Sequence, residues 1–341
     1  MLKRSMALPT ALTLVVTLSA QADLVVLQYH HVSDETPAST STGVDLFRAH
    51  LERIQSLNLE VAPLEAGTRA ALAGELENQQ QVAITFDDAY ESVWTTARPL
   101  LEEYGYPYTI FVNTDAVGSD GYMTWDQLEQ ASKNPDILIA NHSHEHGHLP
   151  QRPGESRHHW QQRAIQSLDQ AQALLEDRLG VNAPLFAYPY GEYDNGLEQL
   201  MDERDWYGYG QQSGAIGATS DSSRLPRFPM ATAYGQLDSL DDKLLSRALP
   251  VDASQLPDGI LDSNPPRLDL TMPERMPPSA LTCFASGQGR LPLEIDGQTV
   301  TVQAPDAFNS RRFRYNCTYP AAQGHFYWLS QQWVDLSQPE D

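Results

Sequence analysis

Short apolar runs alternate with longer amphipathic stretches through the first 250 residues. Residues 24–29 (LVVLQY), 82–86 (VAITF), 108–112 (YTIFV), 137–140 (ILIA) and 185–188 (LFAY) each read as a strand buried on both faces. Between them, residues 47–57, 91–104, 125–131 and a long polar stretch over 156–179 have helical spacing. Strands repeatedly followed by helices predict an α/β fold around a parallel sheet, doubly wound or closed as a barrel.

The texture changes near residue 254. Residues 254–278 are rich in proline and read as a linker between a domain over 23–253 and a smaller one over 279–341. The smaller part alternates apolar and polar positions between turn residues, with Asp296-Gly297 as a tight hairpin turn, and predicts a small antiparallel β domain. Its aromatics Phe326, Tyr327, Trp328 and Trp333 read first as core, with a sugar-stacking platform as the alternative.

Residues 1–22 read as a secretory signal peptide. Lys3 and Arg4 precede the apolar run ALTLVVTL, and Ser19-Ala20-Gln21-Ala22 offers small residues for cleavage after Ala22. The run is too short to span a bilayer comfortably, and nothing after Ala22 approaches a membrane span, so a periplasmic or extracellular location is expected. Export also changes the reading of Cys283 and Cys317, the only two cysteines, which are expected to pair in an oxidising compartment. Cleavage would leave 20 basic residues against 45 acidic ones, a net charge of -25. Such a surface repels nucleic acid and anionic lipid. Oligomeric state is not legible.

Three clusters carry candidate chemistry, each where an apolar run stops. The first is Thr85-Phe86-Asp87-Asp88. Adjacent carboxylates repel unless a cation or shared proton relieves them, and parallel strands aim their C-terminal ends at the site face. One Asp serving as a helix cap is the plain alternative. The second, residues 142–148 (HSHEHGH), holds four of the chain's ten histidines. His142 and His146 with one Asp would leave ligand positions open, as in catalytic zinc sites. A rival pattern, His144-Glu145 with His148, fits the zinc-protease HExxH motif but requires a continuous helix, which Gly147 and Pro150 interrupt. The third is FAYPYGEYD, whose Pro189-Tyr190-Gly191 turn can aim backbone N–H groups at an oxyanion.

In this order the three clusters resemble the polysaccharide deacetylases with the NodB homology domain, carbohydrate esterase family 4, and within them the branch acting on poly-N-acetylglucosamine. The resemblance covers residues 24–235, including TFDDAYESVWTTARPLLEEYGYPYTIFV, YMTWDQLEQ, HSHEHGHL and FAYPYGEYD. It implies a distorted (β/α) barrel of about seven parallel strands and one divalent metal ion, zinc foremost and cobalt or nickel as alternatives. Asp87 would be the general base, Asp88, His142 and His146 the metal ligands, and Pro189 and Tyr190 the oxyanion and substrate contacts. The implied reaction removes N-acetyl groups from an N-acetylglucosamine polysaccharide of exopolysaccharide, chitin or peptidoglycan type. A saccharide-binding protein without catalysis is the reading from another class.

Three departures stand out. The arginine that many members carry in the third motif is replaced by Ala187. No late Leu-x-x-His motif is recognisable near 225–250, leaving His30 and His144 as candidate general acids. Ala89 stands where glycine usually follows the Asp pair, a change that reads as harmless.

Overall fold

The computed structural model describes residues 22–76 and 79–340, so the expected signal peptide, apart from Ala22, lies outside them. The apolar runs form the parallel strands of one sheet: β1 (Leu24–Tyr29), β2 (Gln81–Asp87), β3 (Tyr108–Val112), β4 (Ile137–Asn141) and β5 (Leu185–Ala187), followed by β6 (Tyr207–Tyr209). The intervening helices are α1 (Val44–Ser56), α2 (Leu64–Ala73), α3 (Arg98–Tyr104), α4 (Trp125–Ser132), α5 (Arg157–Leu179) and α6 (Asn195–Asp202).

Closure makes this sheet a barrel. Leu225 bridges Tyr209 of β6, and Phe228–Pro229 pairs in parallel with Leu27–Gln28 of β1. Glu60–Val61 adds a short parallel strand beside β2, so among the described residues the closing segment is the eighth parallel strand, and it joins the last strand to the first. The sheet's two faces follow the period-2 alternation of each strand. Val25, Leu27 and Tyr29 pack outward with Phe47, Leu51, Val93, Leu101 and Leu128 of the helical layer. Leu24 and Val26 face the other way, with Phe111 and the small residues Ala83, Ala140 and Ala187. A small inner face lets the sheet curl tightly.

Local departures have local causes. The helix expected over 91–104 is split into a wider π turn at Val93–Ala97 and then α3. Thr95 lies inside that turn and its hydroxyl bonds the Glu91 carbonyl at 3.0 Å, a side-chain competitor for the helical backbone. The proline-rich stretch is not simply a linker. It contains β7 (Arg267–Thr271), whose Leu268 and Leu270 are buried in the C-terminal core.

That C-terminal unit has two sheets. In one, β9 (Leu293–Asp296) and β10 (Thr299–Gln303) form a hairpin across Gly297-Gln298, and β7 pairs with β10. In the other, β8 (Thr282–Ala285), β11 (Arg312–Pro320) and β12 (Phe326–Val334) run antiparallel. Arg247–Ala248, from the end of the first domain, adds to β12, so the two units share a sheet. Trp333 lies in the C-terminal core, and Trp328 meets Phe228 of the barrel-closing segment edge-on at 5.2 Å. These two rings are therefore packing elements, while Phe326 and Tyr327 are half-buried.

Cys283 and Cys317 are register partners across β8 and β11 and are disulfide-bonded, closing a loop with a sequence separation of 34. Reducing the bond should destabilise the C-terminal unit by about 2–4 kcal/mol. Denaturant midpoints measured with and without reductant check this; equal midpoints would show that the cross-link constrains little.

Candidate active site and metal centre

β2 delivers Asp87 as its last residue, and the chain leaves the sheet through two left-handed residues, Asp88 at φ 72° and Ala89 at φ 53°. For non-glycine residues that backbone costs roughly 1–2 kcal/mol each. The replacement of glycine by Ala89 is therefore a strained one, not a harmless one. Ser143, His146 and Tyr190 also have φ between 53° and 69°, so left-handed backbone recurs in all three motif loops.

The second loop is shaped by Asn141 and Ser143. Asn141, at the end of β4, accepts the Ser143 N–H at 2.8 Å and donates to Leu168 O of α5 at 3.0 Å. Ser143 Oγ accepts the His146 N–H at 3.1 Å, which folds His146 back toward His142. His142 donates from Nδ1 to Ala187 O at 2.7 Å, leaving its Nε2 aimed at Asp88. Asp88 Oδ1 then lies 3.4 Å from His142 Nε2 and 3.1 Å from His146 Nε2.

These atoms fit a single divalent ion. Asp88 Oδ1 is buried and accepts no hydrogen bond, an arrangement that is costly unless a cation sits there. Tetrahedral ligands at zinc-like distances of about 2.0–2.2 Å lie roughly 3.4 Å from one another. Asp88 and His146 carry the charge states that a metal site needs. Burial would raise the Asp88 pKa, but His142, His30 and His146 together hold it well below the usual carboxylate range. Burial and the neighbouring His142 lower His146 to about 4, so its imidazole is neutral at neutral pH. Burial also opposes protonation of His142, yet Asp88 and Asp87 raise its pKa.

Asp87 is held differently. It is fully buried, and Arg227, also fully buried, grips both its oxygens, Nη1 to Oδ1 at 2.6 Å and Nη2 to Oδ2 at 2.8 Å. Gln28 of β1 donates to Oδ2 at 2.7 Å. Arg227 Nε donates to Gly210 O at 2.9 Å, and the guanidinium lies 5.4 Å from the centre of the Phe111 ring. Burial pushes the Asp87 pKa up, but Arg227 above all, then His142, outweigh it and hold the carboxyl at about 2. Arg227 thus fills the place of the arginine absent from the third motif, reaching Asp87 from the barrel-closing segment. Its sequence signal is a charge inside the proline-flanked apolar run LPRFPM.

The third loop brings Tyr190 beside the cluster, its ring 4.6 Å from that of His146 and stacked on His148 at 4.0 Å. His30, just after β1, has Nε2 4.0 Å from Asp88 Oδ2, so it borders the same centre. His144 does not join that cluster: Nδ1 is 2.8 Å from Thr114 Oγ1 and Nε2 2.9 Å from Gln170. The protease-like arrangement is contradicted. Residues 142–148 form no helix, Glu145 accepts a bond from Ser167, and His148 is bound to Glu192.

Fold and site together define a closed α/β barrel with a candidate mononuclear metal centre, and a buried carboxylate beside it, at the C-terminal ends of its strands. Residues 75–206 match the family model described as polysaccharide deacetylase. A poly-beta-1,6-N-acetyl-D-glucosamine N-deacetylase of Staphylococcus epidermidis is 25% identical over 158 residues, 44% of this chain and about half (54%) of that protein. The fold is shared with the Streptococcus pyogenes deacetylase PplD (22% identity, TM-score 0.55, 62% of this chain and 93% of that one). It is shared also with IcaB from Ammonifex degensii (20% identity, TM-score 0.56, 64% and 94%).

Because Asp87 has a lowered pKa in the fold, its contribution to stability is full above about pH 4 and is lost as pH falls through about 2. The difference in unfolding free energy between wild type and Asp87→Asn should therefore shrink by roughly 2 kcal/mol between pH 5 and pH 2. Urea melts of metal-free protein across that range measure it; a constant difference would mean that Asp87 is not ionised in the fold.

Proposed function

We propose that the chain is an exported, metal-dependent hydrolase that removes N-acetyl groups from an N-acetylglucosamine polysaccharide, releasing acetate. The observation that carries this reading is the Asp88–His142–His146 cluster set beside the arginine-bound Asp87. The poly-beta-1,6-N-acetyl-D-glucosamine N-deacetylase among its relatives favours a substrate of that type. No helix of the described residues is long and apolar enough to cross a membrane, which is compatible with export behind a cleaved leader.

A divalent ion held by Asp88, His142 and His146, zinc first and cobalt or nickel as alternatives, would supply Lewis acidity to the acetyl carbonyl and to a water molecule. The chain's own residues do the rest. Arg227 and Gln28 keep Asp87 ionised and oriented, and Oδ1, with only one of these bonds, retains a lone pair that accepts the water's proton as the water oxygen attacks the acetyl carbonyl carbon. The backbone N–H at Tyr190, fixed by its left-handed turn, is the donor for the developing oxyanion. His30 returns a proton to the departing amine, which leaves as the free amino sugar while acetate keeps the new C–O bond.

Acetate release from β-1,6-linked and chitin N-acetylglucosamine oligomers tests the reading directly, with protein stripped of metal and reloaded. Activity should return with zinc, cobalt or nickel, and Asp87→Asn should lower kcat by about 10²–10⁴-fold. Full activity in Asp87→Asn would remove Asp87 as the base. His30→Gln should slow amide hydrolysis about 100-fold while sparing an aryl acetate, whose leaving group needs no proton. Equal losses on both substrates would rule out the acid role.

A further inference from the structure

Glu192, one residue past the third-motif turn, is a fully buried carboxylate with an unusual set of partners. Arg311 donates to it from Nε at 2.8 Å and from Nη2 at 3.0 Å, and Arg312 from Nη1 at 2.9 Å. Both arginines belong to the C-terminal unit, at the start of β11. The remaining partner belongs to the barrel: His148 Nδ1, 2.8 Å from Oε2. Burial would raise the Glu192 pKa, but His148, Arg311 and Arg312 bring it to about 2.

From Glu192 an unbroken chain of contacts runs to the metal centre. The bond to Glu192 fixes the His148 ring, which lies parallel to Tyr190, 4° between planes at 4.0 Å. Tyr190 carries the Arg312 guanidinium 5.3 Å from its ring centre and presses edge-on against the ligand His146. The backbone of the same turn is held from the same side. Gln332 of β12 donates to Gly191 O, and Arg314 of β11 donates to Gln211 O at 2.8 Å. Gln211 is the residue that Gly191 packs on: a Cβ at Gly191, whose φ is 69°, would meet Gln211 atoms at 2.7–2.9 Å.

A carboxylate buried with two guanidinium groups is a poor way to stabilise an interface, since apolar residues of similar volume do as well or better. It does fix orientation, and what it orients here is one metal ligand and one candidate oxyanion donor. We infer that the C-terminal β unit is a working part of the active site, with Arg311 and Arg312 acting through Glu192 as positioning residues for His146 and the Tyr190 turn. This rests on the metal centre proposed above. Removing outer partners of metal ligands commonly lowers metal affinity or activity by about 10–100-fold.

The test uses the full chain in three variants: Arg312→Ala, Arg312→Lys, and Val302→Ala, which loosens the β unit's buried core at a residue outside the Glu192 hydrogen bonds. Zinc affinity of the metal-stripped protein, thermal midpoint, kcat and KM are measured for each. Arg312→Ala should weaken zinc binding about 10-fold and lower kcat by about as much, with KM within about twofold. Arg312→Lys should recover most of both losses. Val302→Ala should lower the thermal midpoint and leave zinc affinity unchanged. Wild-type zinc affinity and kcat in Arg312→Ala, or an equal loss of affinity in Val302→Ala, would reduce the β unit to a stabilising appendage. The expected affinity shifts in a protein that releases no acetate would uphold the positioning role and refute the deacetylase reading. A wild-type chain that binds no divalent ion would overturn both.

Discussion

A carboxylate removed from bulk water at the end of a strand costs several kcal/mol unless a cation meets it, and Asp87 is fully buried. Arg227 meets it with both arms, and the consequences spread outward. Because Arg227 sits on the segment that pairs with β1 and bridges β6, the same ion pair that fixes Asp87 also fastens the closure of the barrel. Gln28 joins it from β1 and Thr85 from β2, so the strands that flank the site are tied at one point. That knot fixes the ends of β1 and β2 against the closing segment.

Around the knot the backbone is held in conformations that a free chain avoids. Left-handed residues follow Asp87, bracket the histidine loop and form the Tyr190 turn. None of these would persist in isolation. Asn141 and Ser143 hold the second loop by hydrogen bonds, and the β unit holds the third. Strain of this kind is found where geometry is set for a ligand instead of for stability.

Much of this was legible in the residues themselves. The strands were marked by apolar runs, and the metal cluster by two Asp and four His placed where those runs stop. The signals that failed were of two sorts. Strand β7 was hidden because proline-rich flanks masked a five-residue alternation, and short helices such as α2 and α6 gave too little periodicity to stand out. Arg227, Glu192, Arg311 and Arg312 were missed for a different reason. Each is meaningful only through a partner more than 100 residues away or in another domain, and no local pattern records such a pairing. The protease-like spacing of His144, Glu145 and His148 shows the converse: a local pattern without the helix that would give it meaning.

The distance along the chain between Asp87 and Arg227 also bears on how the molecule comes into being. Some 140 residues separate them, so the pairing is among the least local in the barrel. Loop-closure entropy delays such contacts relative to the helices and neighbouring strands that form early. Asp87 ends an inner strand of the sheet, whereas Arg227 lies on the segment that closes it, so local pairing alone leaves the carboxylate without its cation. The contact that completes the sheet is therefore also the one that brings Arg227 to Asp87.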